Sequence, residues 1–227
     1  MIVDPIFIAP EGSLPEEAEY VVFAVTFERE DWEGFCLAED ALELNELYLG
    51  KDEYNNFRAR LGDPLYLKDF YDENEELLKV QYWRRVSRDR FVEDTRASVP
   101  LIFGDFKKGC LKKTLYDVFE PLDKTDVAIR QRNENGKSPH RILRLKSRYG
   151  FIADRVPFRI YAIEVDTDCF IITGGAIKIV EEMKQAPNTN LELKKLDYVL
   201  SALKEAGISN KESLLNFLYE RSSQTDV

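Results

Sequence analysis

The stretch from Phe158 to Lys178, FRIYAIEVDTDCFIITGGAIK, limits most tightly what this chain can fold into. Two apolar runs, Phe158–Val165 and Cys169–Thr173, flank the short connector Asp166-Thr167-Asp168. β-Branched and aromatic residues on both sides of an Asp-rich turn predict a β-hairpin. Alternation along the first arm sends Phe158, Ile160 and Ala162 to one face and Arg159 and Tyr161 to the other. Gly174 and Gly175 then interrupt the second arm. Paired glycines inside a strand pattern read as a bulge or a close backbone approach. An arginine opening such a hairpin needs a partner or water on its own side.

Around this hairpin the chain alternates strand and helix signals. Ile2–Ile8 is a short apolar strand, and Pro5 assigns it to a sheet edge. Tyr20–Phe27 is apolar almost throughout, the pattern of a strand buried on both faces. Leu37–Leu49 has helical spacing with Gly50 as its stop, and Tyr54–Leu61 reads as a helix ended by Gly62-Asp63-Pro64. Asp69–Leu77 reads as acidic surface, Val80–Val86 as a strand, and Ser98–Phe103 as an apolar run weakened by Pro100. Leu111–Leu122 is amphipathic, and His140–Arg148 alternates as a strand with a basic face. Thr189 with Glu192 predicts a capping box opening a helix over Asn190–Ala206, with Gly207 as its stop. Ser209 with Glu212 repeats that pattern before a second helix, and the tail beyond Arg221 reads as frayed. The expected fold is α+β, with an antiparallel or mixed central sheet and a C-terminal helical hairpin. In it Arg141–Lys146, Phe158–Val165 and Cys169–Lys178 are neighbouring strands under the Asn190–Ala206 helix.

Composition narrows the function classes. At 227 residues the chain can bury a substantial core. No run of about 18 to 20 apolar residues is present, so no membrane partner is expected. The acid- and proline-containing start does not read as a signal peptide, which makes a cytoplasmic location the expectation. Cys36, Cys110 and Cys169 are scattered without CxxC spacing and read as reduced thiols. His140 is the sole histidine, so neither a zinc site nor catalysis by two histidines is expected; no cofactor is expected either.

The net charge of −10 is unevenly spread. Met1–Val80 carries 21 acids and 6 Lys/Arg, whereas Lys107–Arg159 carries 14 Lys/Arg and 6 acids. Such asymmetry marks an anion-binding face or mutual neutralisation of the two halves. It also suggests two regions, an acidic one over 1–106 and a basic one with the C-terminal helices over 107–227; the polar stretch Arg132–Ser138 reads either as a boundary or as a simple loop.

No phosphate loop, dinucleotide fingerprint or nucleophile elbow is present. Asp166 and Asp168 need no role beyond the turn, His140 reads as a surface residue, and Glu73, Glu75 and Glu76 read as a solvated face. The remaining chemistry lies in the basic set Arg144, Lys146, Arg148, Arg159 and Lys178, with Tyr149 and Tyr161 nearby. Cations on a rigid sheet can hold a phosphodiester and stabilise charge that develops as it breaks. The same residues can equally form a salt-bridged face.

The order Phe158-Arg159-Ile160-Tyr161-Ala162-Ile163-Glu164, an acidic turn, then Phe170 to Lys178 resembles the end of RelE/HigB-like toxins of bacterial toxin–antitoxin modules. The resemblance runs from about Arg141 to Leu200, and Met183–Leu196 is similar in outline to the segment that follows in that family. It implies a small α+β fold and metal-independent endoribonuclease action on mRNA, with attack of a 2′-hydroxyl on the adjacent phosphate. Arg159 matches the strand arginine facing the scissile phosphate, and Lys178 the basic residue after the second strand. By proximity to these, not by a motif match, Tyr161 is expected as a further catalytic residue, and Arg144, Lys146 and Arg148 of the basic set as RNA-binding ones. RNA or the ribosome and an antitoxin-like protein are the implied partners. The family is about half this length and strongly basic, so the acidic N-terminal half departs from it. The alternative expectation is a non-catalytic interaction protein of a mobile-element or phage-defence system.

Overall fold

Seven consecutive buried residues, Tyr20–Thr26, form strand β2, second from one edge of a six-stranded mixed sheet. In the computed structural model described here, the described residues are 1–35, 50–80, 86–112, 115, 119–122, 140–146, 158–179 and 183–225. The other strands are β1 (Ile2–Ala9), β3 (Phe119–Pro121), β4 (Arg141–Lys146), β5 (Phe158–Asp166) and β6 (Cys169–Ile177), in the order β1-β2-β6-β5-β4-β3. Only β2 and β6 run parallel; the other neighbours are antiparallel. Strands from both charge regions therefore share one sheet. The expected β4–β5–β6 order is present, and β1 lies at an edge as Pro5 foretold.

Alternation sorts the sheet residues into two cores. Tyr20, Val22, Ala24, Ile160, Ala162, Phe170 and Ile172 face one side. Val21, Phe23, Val25, Tyr161, Ile163, Cys169 and Ile171 face the other. The first face is covered by α2 (Glu53–Gly62), α3 (Pro64–Glu73), α4 (Glu75–Val80) and α5 (Arg88–Leu111), through residues such as Phe57, Phe70, Leu78 and Phe106. The second is covered by α1 (Arg29–Phe35), α6 (Pro187–Glu205) and α7 (Lys211–Thr225), through Trp32, Leu193, Leu196 and Leu214. The result is a helix–sheet–helix sandwich, an α+β architecture with its helical hairpin at the C-terminal end. Among the described residues no helix is long and apolar enough to cross a membrane.

Local chemistry accounts for most helix boundaries. Asp63 ends α2 and caps α3, its carboxylate accepting from the Leu65 N–H at 2.8 Å with Pro64 in the first turn. Gly207 (φ +68°) ends α6; its N–H donates to the Lys204 carbonyl and Ile208 N–H to Leu203, a Schellman closure.

Several expectations are corrected. Ser98–Phe103 is the middle of α5, which continues through Pro100 because Phe91, Ile102, Phe103, Phe106 and Cys110 all bury on its sheet side. Packing there outweighs the hydrogen bond that proline removes. The amphipathic run Leu111–Leu122 ends as strand β3, where Phe119 pairs with Leu145. His140 is buried rather than on the surface, its Nε2 3.0 Å from the Ile208 carbonyl. Neither expected capping box forms. Pro187 starts α6 three residues before Asn190, and the Thr189 hydroxyl donates to the Met183 and Ala186 carbonyls. At α7 the reciprocal pair is Asn210 with Ser213: Ser213 N–H donates to Asn210 Oδ1, and Asn210 N–H to Ser213 Oγ. Past Arg221 the described residues stay helical, since α7 runs to Thr225, and the Arg221 guanidinium donates to the Met1 carbonyl; residues 226–227 of the expected frayed tail lie outside the described residues. The Leu37–Leu49 helix, residues 81–85 of the expected Val80–Val86 strand and the Arg132–Ser138 break lie outside the described residues; Val80 itself closes α4.

Candidate functional site

The basic residues carried by the middle strands fall into register. Lys146 pairs with Arg159, which pairs onward with Ala176; Arg144 pairs with Tyr161, which pairs with Gly174. Directly opposed residues of an antiparallel pair share a face. Four of the six expected site residues therefore occupy alternate rungs of β4 and β5, with Leu145 and Ile160 on the rung between. Lys178 follows the end of β6, whose last rung joins Ile177 to Phe158, one residue from Arg159. Arg148, with Tyr149, lies outside the described residues.

Burial separates these residues. Arg159 and Lys178 are half-buried, and the Arg159 Nε is enclosed. Tyr161 is wholly enclosed, in the same core as Leu193 and Leu196 of α6. Apolar helix packing covers that part of the sheet, so its ring belongs to the core and its hydroxyl is closed off from solvent.

Sequence reasoning missed a fully buried lysine, the most enclosed cation among the described residues. Lys195 of α6 is 1% exposed, and its Nζ donates to Glu53 Oε2 at 2.7 Å and to Glu192 Oε1 at 2.9 Å. Glu53 comes from the first turn of α2 on one side of the sheet, Glu192 and Lys195 from α6 on the other. They meet beside Gly174, two residues beyond the last β2–β6 rung at Ala24 and Ile172. Gly174 has φ +149°, and Thr173 is the extra residue of a bulge, because Tyr161 pairs with Gly174 and Ala162 with Ile172. A Cβ on Gly174 would fall 2.1 Å from Glu192 Oε2; one on Gly175 would fall 2.2 Å from the Phe57 ring. The glycine pair thus answers to close approach from both helical layers. Lys195 also lies over the Trp32 ring, 4.9 Å from its centroid, and 5.9 Å from that of Phe27.

Burial raises the Glu192 carboxyl to about 7, with neighbouring Glu53 adding to the rise and Lys195 and Arg60 opposing it. Close by, Asp31 of α1 accepts from the Tyr198 hydroxyl of α6 and from the Glu28 N–H. Its burial acts to raise its pKa, but these bonds and the Met1 amine outweigh that and hold it below the ordinary carboxylate value. The signal for this site was present in the helix pattern. Glu192 and Lys195 fall on the same stripe as Leu196, Val199 and Leu203, where charge is not expected.

A third feature is an open groove of about 580 Å³ at the end of β2, lined by Asp4, Thr26, Lys51, Asp52, Tyr54 and Asn55. It lies at the β1–β2 side of the sheet, while the basic rungs lie on β4 and β5, so the two do not form one site. No group of three or more metal-ligating side chains occurs among the described residues. Cys110 and Cys169 are buried free thiols, each raised to about 12 by burial, which makes them poor nucleophiles. In comparisons with known proteins the chain matches no family model, no curated protein and no solved structure.

Proposed function

We propose that this protein is a cytoplasmic RNA-binding relative of RelE/HigB-like toxins, holding backbone phosphates on strands β4 and β5 and cleaving mRNA without a metal. One observation carries the reading: the register opposes Lys146 to Arg159 on neighbouring strands. Two cations on opposed rungs of neighbouring strands can contact one anion together, and a phosphodiester is such an anion. In this reading Arg159 grips the scissile phosphate, Lys178 neutralises charge on a non-bridging or the leaving oxygen, and Arg144, Lys146 and Arg148 bind backbone phosphates. RNA or the ribosome is the target, and an antitoxin-like protein is the regulatory partner.

The non-catalytic reading, an interaction protein of a mobile-element or phage-defence system, is favoured by one observation, the enclosure of Tyr161. A tyrosine that cannot touch substrate leaves the site without that aromatic acid–base group. Expression in a bacterial host, with mRNA integrity followed alongside growth, separates the two. Growth arrest with fragmented mRNA supports the nuclease. Salt-sensitive RNA binding without cleavage supports phosphate binding alone, and absence of both rejects the proposal.

A further inference from the structure

The Glu53–Lys195–Glu192 cluster sets two carboxyl groups against one ammonium in a site sealed from solvent, each side chain being 1–2% exposed. With both carboxyls ionised it carries a net negative charge in a dry interior, which is costly to bury. The hydrogen bonds are shared unequally. Glu53 Oε2 and Glu192 Oε1 each receive Lys195, while Glu192 Oε2 takes no hydrogen bond among the described residues and faces the Gly174 backbone. An ionised oxygen there would be desolvated without a donor, whereas a protonated one needs no donor.

We propose that this cluster is a proton-operated clasp between the two helical layers, closed when Glu192 carries a proton and loosened when it loses it. The groups around it support that assignment. From α2 come Glu53, of like charge, and Arg60, of opposite charge. Its own helix supplies Lys195. At this level β6 offers only Gly174 and β5 the neutral Tyr161 paired with it. From α1 come the Trp32 ring over Lys195 and Asp31, already engaged by Tyr198. Lys195 is thus the one cation that hydrogen-bonds both carboxyls, with Arg60 acting on Glu192 through its charge.

The sign follows from linkage. The folded-state value of about 7 stands above the ordinary 4.5, so the folded protein holds a proton that the unfolded chain releases. The stabilisation is complete below about pH 4.5 and is lost as pH rises through about 7. Between those limits this group alone makes the unfolding constant rise by up to about tenfold per pH unit.

The test is a carbon-13 NMR titration of the full chain labelled at glutamate side chains, paired with denaturant unfolding from pH 5 to pH 8. The clasp predicts one carboxyl titrating near pH 7, absent in Glu192→Gln and displaced downward in Glu53→Gln, where the like charge is gone. Glu192→Gln should also lose this group's share of the pH slope relative to the unsubstituted protein. Titration of every glutamate below about pH 5.5 would overturn the proposal, as would an unchanged slope in Glu192→Gln. If that variant fails to fold, the unsubstituted protein and Glu53→Gln still decide it.

Discussion

Gly174 and Glu192 approach so closely that a single added carbon at Gly174 would sit 2.1 Å from the Glu192 Oε2. A strand residue on β6 and a helix residue on α6 thereby define one another: the bulged glycine makes room for the carboxyl that, with Lys195, reaches Glu53. The contact joins the hairpin that organises the sheet to the ion cluster linking its two helical layers.

Gly174→Ala should therefore be among the most damaging small substitutions in the sheet. The methyl group meets a buried, ion-paired carboxyl, and the φ of +149° is unfavourable for any residue with a Cβ. Overpacking and backbone strain together should cost about 3 kcal/mol. Denaturant unfolding would read this directly, and a loss below about 1 kcal/mol would show that Glu192 moves aside freely.

His140 should make stability fall on acidification. Burial holds its pKa below the ordinary 6.5, although the Ile208 carbonyl partly opposes the shift. The folded state therefore binds the proton less readily than the unfolded chain. Its contribution is fully present above about pH 6.5 and declines as pH falls through that value toward the lower folded one. This runs opposite to Glu192, so each must be read as a difference between variant and unsubstituted protein. Replacing His140 with Gln should flatten the acid-side loss, and an unaltered acid limb would contradict the assignment.

The start of α7 offers a clean local test. Asn210→Ala removes the side chain that accepts from the Ser213 N–H and should cost about 1 kcal/mol. Ser209→Ala, at the position that local spacing favoured as the cap, should change stability by less than about 0.5 kcal/mol. Thermal melts of the two variants side by side should show only the first displaced.

Arg159→Lys bears on the proposed activity. A planar guanidinium grips two phosphate oxygens at once, and an ammonium reproduces that poorly. Loss of one preorganised charge of this kind costs about 3 to 4 kcal/mol of transition-state stabilisation, or roughly two to three decades of rate. Growth arrest and RNA cleavage should be abolished while the melting temperature shifts by only a few degrees. A variant that melts early instead identifies Arg159 as structural, and one that stays stable and fully active removes the nuclease reading.

What the sequence determined is what short-range spacing encodes. Period-two alternation put Ile160 and Ala162 on one face of β5 and Tyr161 on the other, and the two cores divide along that line. An unbroken apolar run marked β2 as buried on both faces, an Asp-rich connector marked the β5–β6 turn, and Gly207 marked the end of α6. The Gly174-Gly175 pair announced a bulge or a close backbone approach; the folded chain has both, and the sequence did not say what approaches. Tertiary structure decided the partners, because they depend on which distant elements share a layer. Glu53 and Lys195 are 142 positions apart, and no local pattern relates them. Glu192 sat three residues after Thr189 as a capping box requires, yet Pro187 opened the helix earlier and turned Glu192 into the core. Ser98–Phe103 stayed helical through Pro100 because packing on the sheet outweighed one missing hydrogen bond. The parallel β2–β6 pairing rests on the same physical ground: side chains set period and turn, while burial of shared faces chooses which strands and charges meet.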